Sequence, residues 1–350
     1  MKPKRIQFTL ADNLAGVGRA GQLVTMSLAP VDTYDPTELP TYLAGFKPFG
    51  FRADEMSPVV MVDQSKGKRR DFSSDDAFRR VDVKSSLQAG LPEVDPKSAL
   101  TDYACVERVI GSYIPDQTES EAGPLYKPRQ SAMRRCANAI GLDRELDVTA
   151  LLTAAGSWNA NNTVNLAAAF AWNGGATSDP IFDLETRIQA SSQPVTGIWM
   201  NQRVGFAFLR HALVRDHMRQ MLGDRGVDTA TTTVADASAS KLVDFVIPGL
   251  PPFHICASKV KNETTSLLDY VMGDQVVLVA NPAGVPTDGE EIATSQTFRV
   301  RMGAGVGYEV REFRVEDRSA RGGTMVVVYQ SDIAVMPANT AGGRIGGVIV

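Results

Sequence analysis

The stretch PRQSAMRRCANAIGLDRELDVTALLT, residues 128–153, predicts the longest helix of this chain. Pro128 suits the first helical turn, where its missing N–H would have had no partner within the helix. One buried face is indicated by apolar side chains at the i, i+3, i+4, i+7 spacing: Met133, Cys136, Ala137 and Ile140. We expect this face to continue, with a shift, at Leu142, Leu146 and Ala150. Gly156 is consistent with the C-terminal end of this helix, because glycine commonly follows the last helical residue. The alternative is two helices broken near Gly141.

A second helix is predicted from SDPIFDLETRIQASSQP, residues 178–194. Asp179 is a typical N-cap, and Pro180 fits the first helical position. The buried stripe of this helix is predicted at Ile181, Leu184 and Ile188.

The C-terminal third of the chain predicts antiparallel strands. Residues 297–336 alternate valine and aromatic side chains with Gly-rich turns, which is typical of a long hairpin pair. Shorter strands are predicted within residues 241–258 and 273–282. The segment GAGVGY, residues 303–308, precedes the β-like YEVREFRV, so it indicates a turn between strands and not a dinucleotide-binding loop, which needs a helix after it. The fold class predicted is α+β.

The composition excludes several kinds of protein. The formal net charge of −4 argues against a protein that grips nucleic acid through phosphate contacts, because such binding needs a basic excess. Three cysteines stand far apart, at Cys105, Cys136 and Cys256, in a pattern typical of neither a disulfide framework nor a zinc site. No apolar run approaches the roughly 18 residues of a membrane span, and the N-terminus lacks a signal-peptide pattern. We expect a cytosolic setting, no membrane and no cofactor.

Two segments have little core of their own. Residues 1–48 are broken by prolines at 30, 36, 40 and 48, which predicts an extended arm that lies on something else, such as a neighbouring copy. Residues 61–103 are rich in charge and poor in large apolar side chains, which predicts a long two-stranded excursion. Its basic cluster is a candidate for inter-subunit contact, or else a solvated loop: Lys66, Lys68, Arg69 and Arg70.

The segment IWMNQRVGFAFLRHALVRDHMRQML, residues 198–222, contains two of the three histidines. On one continuous helix His211 and His217 would lie roughly 240° apart, so they could not bind one metal ion. We interpret the polar residues of this segment as the polar face of a helix: Arg210, His211, Arg215 and Asp216. His254 is interpreted as a packed or edge residue. No nucleophile pattern occurs, so we predict no catalytic or metal-binding residue.

The order of these pieces resembles the major capsid proteins of tailed bacteriophages, whose fold is shared with herpesviruses and encapsulins. The stretches that carry the likeness are FRADEMSPVV (51–60), LPEVDPKSALTDYACVERVIGSYIPDQ (91–117), LDRELDVTALLT (142–153) and SDPIFDLETRI (178–188). Residues 198–222 match the family pattern at Leu209, His211, Val214 and Asp216. Phe206 and Ala212 replace its usual tryptophan and proline, so the proline at which the helix breaks in the family is absent here.

The resemblance implies an N-terminal arm (1–48) and an extended β-hairpin loop (61–103). It further implies a peripheral domain (49–60, 104–190 and 300–336) with the long spine helix, and an axial domain (191–299 and 337–350). The implied function is a major capsid protein whose pentamers and hexamers form an icosahedral shell around phage DNA. Two alternatives are an encapsulin-like nanocompartment shell that carries enzyme cargo, and a soluble enzyme. The implied partners are other copies, a portal protein, separate scaffold or decoration proteins, and weakly bound double-stranded DNA. The implied location is the virion, assembled in the bacterial cytoplasm.

Overall fold

The computed structural model describes residues 51–71, 99–122, 127–174, 177–221, 244–262, 264, 266–281, 292–302, 307–315 and 322–349. The predictions for the arm and for the middle of the extended loop, residues 72–98, lie outside these ranges. So does most of the GAGVGY segment. The strand that ends at Val300 and the one that begins at Glu309 nevertheless stand on either side of it, so a strand follows this segment as expected.

Two of the helices lie where caps and periodicity predict them, at Pro128 and Pro180. The helix bounds are α1 Ala53–Met56, α2 Asp116–Ser120, α3 Pro128–Thr153, α4 Pro180–Ala190, α5 Gln202–Arg210 and α6 212–221. The predicted N-cap of α4 is confirmed, because the Asp179 carboxylate accepts the Phe182 N–H at 3.1 Å. No helix in the described part of the chain combines the length and the apolar character needed to cross a membrane.

In the described part of the chain, the strands form two five-stranded sheets and two two-stranded antiparallel sheets. Their bounds are β1 Val59–Val62, β2 Lys66–Asp71, β3 Ala99–Ala104, β4 Val106–Pro115, β5 Thr163–Asn165, β6 Gly197–Asn201, β7 Phe253–Cys256, β8 Lys259–Lys261, β9 Leu268–Tyr270, β10 Val276–Val279, β11 Gln296–Val300, β12 Glu309–Val315, β13 Gly323–Val335 and β14 Gly343–Gly346. The α+β class is therefore confirmed.

The first sheet is built around β13. This strand pairs antiparallel with β4 along one side, and with β12 and then β11 along the other. The predicted C-terminal hairpin, β12 with β13, is thereby confirmed. β1 closes the sheet by pairing parallel to β11.

The second sheet has the strand order β5-β14-β10-β6-β7. The outer pairs, β5 with β14 and β6 with β7, are parallel, and the inner pairs are antiparallel. Helices α4, α5 and α6 pack on one face of this sheet, around fully buried side chains such as Leu184, Phe208 and Leu278. The domain boundaries inferred above remain a prediction. They place β5 in the peripheral domain and most of β11 in the axial domain, whereas β11 pairs within the first sheet and β5 within the second.

Helix α3 begins and ends where the sequence predicts, at Pro128 and Thr153, and the alternative of a break near Gly141 is wrong. Its first half buries the predicted stripe against β4 and β13. Its second half packs against the second sheet, where Val148 and Leu152 contact the cluster of Trp199 and Val277. One helix therefore bridges both sheets.

The predicted continuation of the α3 stripe is wrong. Leu142 and Leu146 are half-buried and Ala150 is exposed. The buried positions are instead Arg144, Glu145, Val148, Thr149 and Leu152. Two of these side chains are charged, and a pattern search that looks for apolar residues passes over them. Their partners lie far away in the sequence, on other elements.

Gly342 shows how closely the second sheet is packed. Its φ is +98°, and a Cβ there would lie 2.2 Å from the Leu278 carbonyl oxygen. We expect Gly342→Ala to lower the free energy of unfolding by about 2 kcal/mol, because left-handed strain and a clash with backbone add together. Gly273→Ala is the control, because its φ is +61° but no atom lies within 4 Å of the new Cβ. Backbone strain alone should therefore lower its free energy of unfolding by about 1 kcal/mol. Urea unfolding followed by tryptophan fluorescence measures both, and equal losses would show that the Leu278 contact relaxes.

Candidate assembly interface

The base of the extended loop is the β2–β3 hairpin. Its register pairs Lys66 with Ala104, Lys68 with Asp102 and Arg70 with Leu100. Because side chains alternate between the two faces of a strand, Lys66, Lys68 and Arg70 lie on one face of this hairpin. Lys66 and Lys68 are exposed there, and Leu100 on the opposite strand is 65% exposed. This face therefore presents positive charge beside an uncovered apolar side chain.

Arg69 lies on the other face and differs from the rest of the basic cluster. Its guanidinium Nε lies 3.1 Å from an Asp71 carboxylate oxygen, and the side chain is only 16% exposed. Thr101 donates a 2.6 Å hydrogen bond to the other oxygen of the same carboxylate. Arg69 therefore stabilises the hairpin from within, and only part of the predicted basic cluster faces outward. A two-residue period would have given this division from the sequence.

The hairpin base is fixed to the first sheet. The Tyr103 ring stacks on Phe298 of β11, with the ring centroids 4.7 Å apart. Gly67 permits this contact, because a Cβ at that position would lie 2.7 Å from the Tyr103 hydroxyl oxygen. The Cys105 N–H donates to the Ser65 carbonyl at 2.7 Å and so closes the base. The base of the loop is therefore held against the first sheet.

The predicted polar helix face on residues 198–222 is wrong as a single face. The segment forms β6, then α5, then α6, and the chain breaks at His211, whose φ and ψ are −65° and 135°. Arg210 ends one helix, whereas Arg215 and Asp216 lie on the next, all three exposed. The family's helix break is thus present although Ala212 replaces its proline.

The break accompanies a change of phase of the apolar residues. Val204 and Phe208 on α5 and Val214 and Met218 on α6 all enter one core. In a continuous helix, the midpoint of the second pair would lie about 80° around the axis from that of the first, and Val214 about 120° from Phe208. The break allows all four side chains to enter the same core. This change of phase is a signal from which a break could have been predicted.

A groove of about 850 Å³ opens beside this break. It lies between α5, the β8–β9 hairpin and the turn after Trp172, and Ile349 borders it. Arg203, Arg210, His211 and Lys259 are among the residues that line it. The structure thus brings two of the predicted residues, Arg210 and His211, to one groove, and leaves Arg215 and Asp216 outside it.

A buried ion cluster holds the first sheet, α1 and α3 together. Asp332 of β13 is 2% exposed and lies among three guanidinium groups. Arg144 Nε is 2.6 Å from its carboxylate, Arg299 Nε is 3.7 Å away, and Arg108 forms a short contact with the other oxygen. The alternation of residues along β13 does not reveal this site, because the arginines that surround Asp332 lie on other elements, up to 224 residues away.

Asp54 of α1 extends the same cluster. Its carboxylate pairs with Arg299 Nη2 at 3.0 Å and closely with Arg144. Burial favours the neutral carboxyl group, but the two arginines outweigh it and lower the pKa of Asp54. The helix that follows the arm is thereby tied by charge to both the spine helix and the first sheet.

Glu145 forms a second buried junction. Its carboxylate accepts the backbone N–H of Arg52 at 2.9 Å, the N–H of Ala53 at 2.7 Å, and the Ser258 hydroxyl at 3.1 Å. Helix α1 has no side-chain cap of its own, so Glu145 caps it from α3, 93 residues away. Burial raises the pKa of Glu145 more than these hydrogen bonds lower it.

The outer face of the first sheet carries uncovered apolar side chains. On β4, Val109 is 51% and Tyr113 is 42% exposed, whereas the alternate residues Ile110 and Ile114 pack on α3. Val106, at the start of the same strand, falls by alternation on the α3 side and is 56% exposed there. Neighbouring uncovered apolar side chains on one face of a sheet are candidates for a contact with another molecule.

One histidine–aspartate pair lies at the edge of the second sheet. His254 lies on β7, at the edge of the second sheet as expected, stacked on Trp199 with its Nδ1 3.1 Å from Asp244. Burial opposes ionisation of Asp244, but hydrogen bonds from His254 and the Ile255 N–H, with the charge of Arg52, lower its pKa. Within the described ranges, no three His, Cys, Asp or Glu side chains come together as in a metal site. Because Asp244 contacts both His254 and Arg52, the residue before α1, it joins β7 to the start of α1.

Comparison of the sequence with known protein families found no match, and no curated protein has a similar sequence. Solved structures do match. A phage-related protein of Bordetella bronchiseptica RB50 superimposes with a TM-score of 0.64 at 17% identity, over 93% of this chain and 98% of that one. A prophage protein of E. coli CFT073, identified as its candidate capsid protein, gives 0.54 at 14% identity, over 90% and 99%. The capsid of a native GTA particle gives 0.50 at 12% identity, over 91% and 95%.

These matches extend over nearly the whole length of both chains, so they concern the complete architecture. The chain therefore has the fold of the tailed-phage major capsid proteins, as the order of its sequence motifs indicated. At these identities the similarity establishes the fold, and the function is a separate inference.

Proposed function

We propose that this protein is the major capsid protein of a tailed phage or prophage, and that its copies form a closed shell around DNA. The observation that carries the proposal is the shared fold, which covers 93% of this chain and 98% of the phage-related protein. The arrangement of charged and apolar surface supports it, because the exposed groups lie on the loop base and on the outer face of the first sheet.

We infer that the shell is built from pentamers and hexamers in which one copy contacts the next through the extended loop and the arm. One repeated heterologous contact generates closed rings, which an icosahedral shell requires. Obligate contacts of this kind typically bury more than about 2,000 Å². The further partners in this proposal are a portal protein, separate scaffold or decoration proteins, and DNA held by weak contacts. The protein would act in the virion after assembly in the bacterial cytoplasm, and it would have no enzymatic role.

Expression of the full chain followed by negative-stain microscopy tests the proposal. Closed particles of uniform size, with nucleic acid inside when phage DNA is packaged, are the expected result. Uniform particles that instead enclose an enzyme would support the encapsulin-like alternative. A compact monomer at tens of micromolar concentration would contradict both and favour the soluble enzyme.

The outward face of the loop base gives a sharper prediction. We expect Lys66→Glu with Lys68→Glu to reduce the yield of shells at least tenfold, because both exposed charges lie on the face proposed to meet a neighbouring copy. The unfolding of the unassembled chain should change by less than about 0.5 kcal/mol, since both side chains are exposed. Light scattering and sedimentation measure the yield. Lys127→Glu, an exposed reversal outside the hairpin, is the control and should assemble normally. Normal assembly of the double variant would show that this face is not part of the interface between copies.

A further inference from the structure

We propose that the groove beside His211 binds an acidic segment of a second copy of this chain, residues 31–40. The inference rests on the proposed shell function and adds a specific contact to it. Most of the residues that line the groove belong to the predicted axial domain, and the segment belongs to the predicted arm.

The groove is positively charged. Arg203, Arg210 and Lys259 line it, and no aspartate or glutamate is among the described residues that line it. The carboxylate of Asp274, which pairs with Arg203 at 2.9 Å, lies outside the lining. Lys261 continues the same face of the β8–β9 hairpin as Lys259, two positions further along the strand. An anion in the groove would therefore meet cations from both walls.

The cations are held in place by aromatic rings. Lys259 Nζ lies 4.6 Å from the centre of the Tyr270 ring, and the Arg210 guanidinium lies 5.6 Å from that of Phe206. The Tyr270 hydroxyl donates to Gln202 at 3.2 Å, which fixes the ring. Cations already ordered in this way lose less side-chain entropy when they bind an anion.

The same rings favour carboxylates over nucleic acid. Sequence-tolerant binding of single strands depends on bases that stack on free aromatic faces. In this groove, Tyr270 and Phe206 each have a cation over one face, and Trp172 is only 2% exposed. The Nδ1 of His211 is buried with no hydrogen-bond partner among the described residues. A narrow acidic peptide, which needs charge and hydrogen bonds and no stacking, fits these properties better than DNA.

The chain itself contains such a peptide. Residues 31–40 read VDTYDPTELP, with carboxylates at Asp32, Asp35 and Glu38. No lysine or arginine occurs between Arg19 and Lys47, so the segment is uniformly acidic. Pro36 and Pro40 limit its unbound conformations and so reduce the entropy lost when it is ordered.

The reach of the arm allows exchange between copies. The chain leaves the described body at Arg52, where Glu145 accepts its N–H and Asp244 binds its guanidinium. Glu38 precedes Arg52 by fourteen positions. An extended segment of that length spans roughly 46 Å. The proposed contact therefore requires a groove of a neighbouring copy within that distance of Arg52.

Charge reversal in the full chain tests the contact. We expect Arg210→Glu with Lys259→Glu to reduce shell yield at least tenfold, and Asp32→Lys with Asp35→Lys and Glu38→Lys to do the same. Combining the two sets should restore assembly to within about threefold of the unmodified chain. Arg215→Glu with Lys127→Glu has the same charge change outside the groove and should assemble normally. Normal assembly of the groove variant would overturn the inference and leave the proposed shell function standing. A groove variant that loses DNA binding but is not rescued by the arm reversal would also overturn it.

A disulfide experiment identifies the two chains that meet. Thr33→Cys is made in a chain with a size tag, and Ala212→Cys, in the groove lining, is made in an untagged chain. Mixed assembly and mild oxidation should give a band that contains one chain of each size. The unmodified chain, with its three native cysteines, provides the background. Absence of this mixed band from assembled shells would overturn the inference, because the two introduced thiols would then not meet between copies.

Discussion

Asp332→Ala should lower the free energy of unfolding by about 4 kcal/mol, the largest loss expected from any single change considered for this protein. The carboxylate is 2% exposed, and it neutralises Arg108, Arg144 and Arg299, whose side chains are 6–10% exposed. Removing Asp332 leaves the three buried guanidinium groups with only the more exposed carboxylates of Asp54, Asp143 and Asp147 as partners among the described residues. Breaking a buried ion pair in this way costs about 3–5 kcal/mol. Denaturant unfolding of the unassembled chain at low concentration measures the change.

Asp143→Asn is the matched control for this prediction. Asp143 also pairs with Arg108, at 2.6 Å, but its side chain is 60% exposed. Water screens that pair, so the loss should be below about 1 kcal/mol. A loss near 4 kcal/mol for Asp332→Ala and a small loss for Asp143→Asn would assign the effect to burial. Equal small losses would mean that solvent enters and solvates the arginines.

Glu145→Ala should lower the free energy of unfolding by about 3 kcal/mol. The change deprives the backbone N–H groups of Arg52 and Ala53 of their acceptor, and leaving a buried donor unsatisfied costs about 1–3 kcal/mol each. Glu185→Ala, on the exposed face of α4, is the control and should change stability by less than about 0.5 kcal/mol. A loss below about 1 kcal/mol for Glu145→Ala would show that α1 does not depend on this cap.

The pH dependence of stability tests the same junction. Burial raises the pKa of Glu145, so the folded protein binds this proton more tightly than the unfolded chain. The contribution of Glu145 to stability is therefore largest below its ordinary value of 4.5 and declines as the pH rises through the higher native pKa. Glu145→Gln cannot titrate, so the difference in stability between the two proteins should change in that window. A difference that is constant with pH would contradict the raised pKa.

Asp54 and Asp244 act in the opposite sense. Their pKa values are lowered in the folded state, so their contribution is present above the ordinary aspartate value and is lost as the pH falls through the native one. The Glu145 experiment must therefore compare variants at each pH. Over half of the Asp54 side chain is exposed, so solvent screening keeps its contribution small.

The sequence predicted local structure well where a period or a cap is complete within one segment. The bounds of α3, the N-cap of α4 and the β12–β13 hairpin each depend on residues close together in the chain. The two faces of β2 are also readable from alternation, although treating its basic residues as one cluster concealed the role of Arg69. Here local rules sufficed because neighbouring residues make the deciding contacts.

The candidate sites depended on contacts that no local pattern contains. Arg144 and Glu145 have the sequence of an exposed helical pair, yet both are buried, because Asp332, Asp54 and the amides of α1 meet them from other elements. Likewise Arg210 and Lys259 share a groove only because the β8–β9 hairpin folds beside α5. Periodicity and order along the chain thus determined the elements and the fold class of this protein. Which charges are buried, and which face a neighbour, was decided by the tertiary structure, because burial of a charge depends on partners that are distant in sequence.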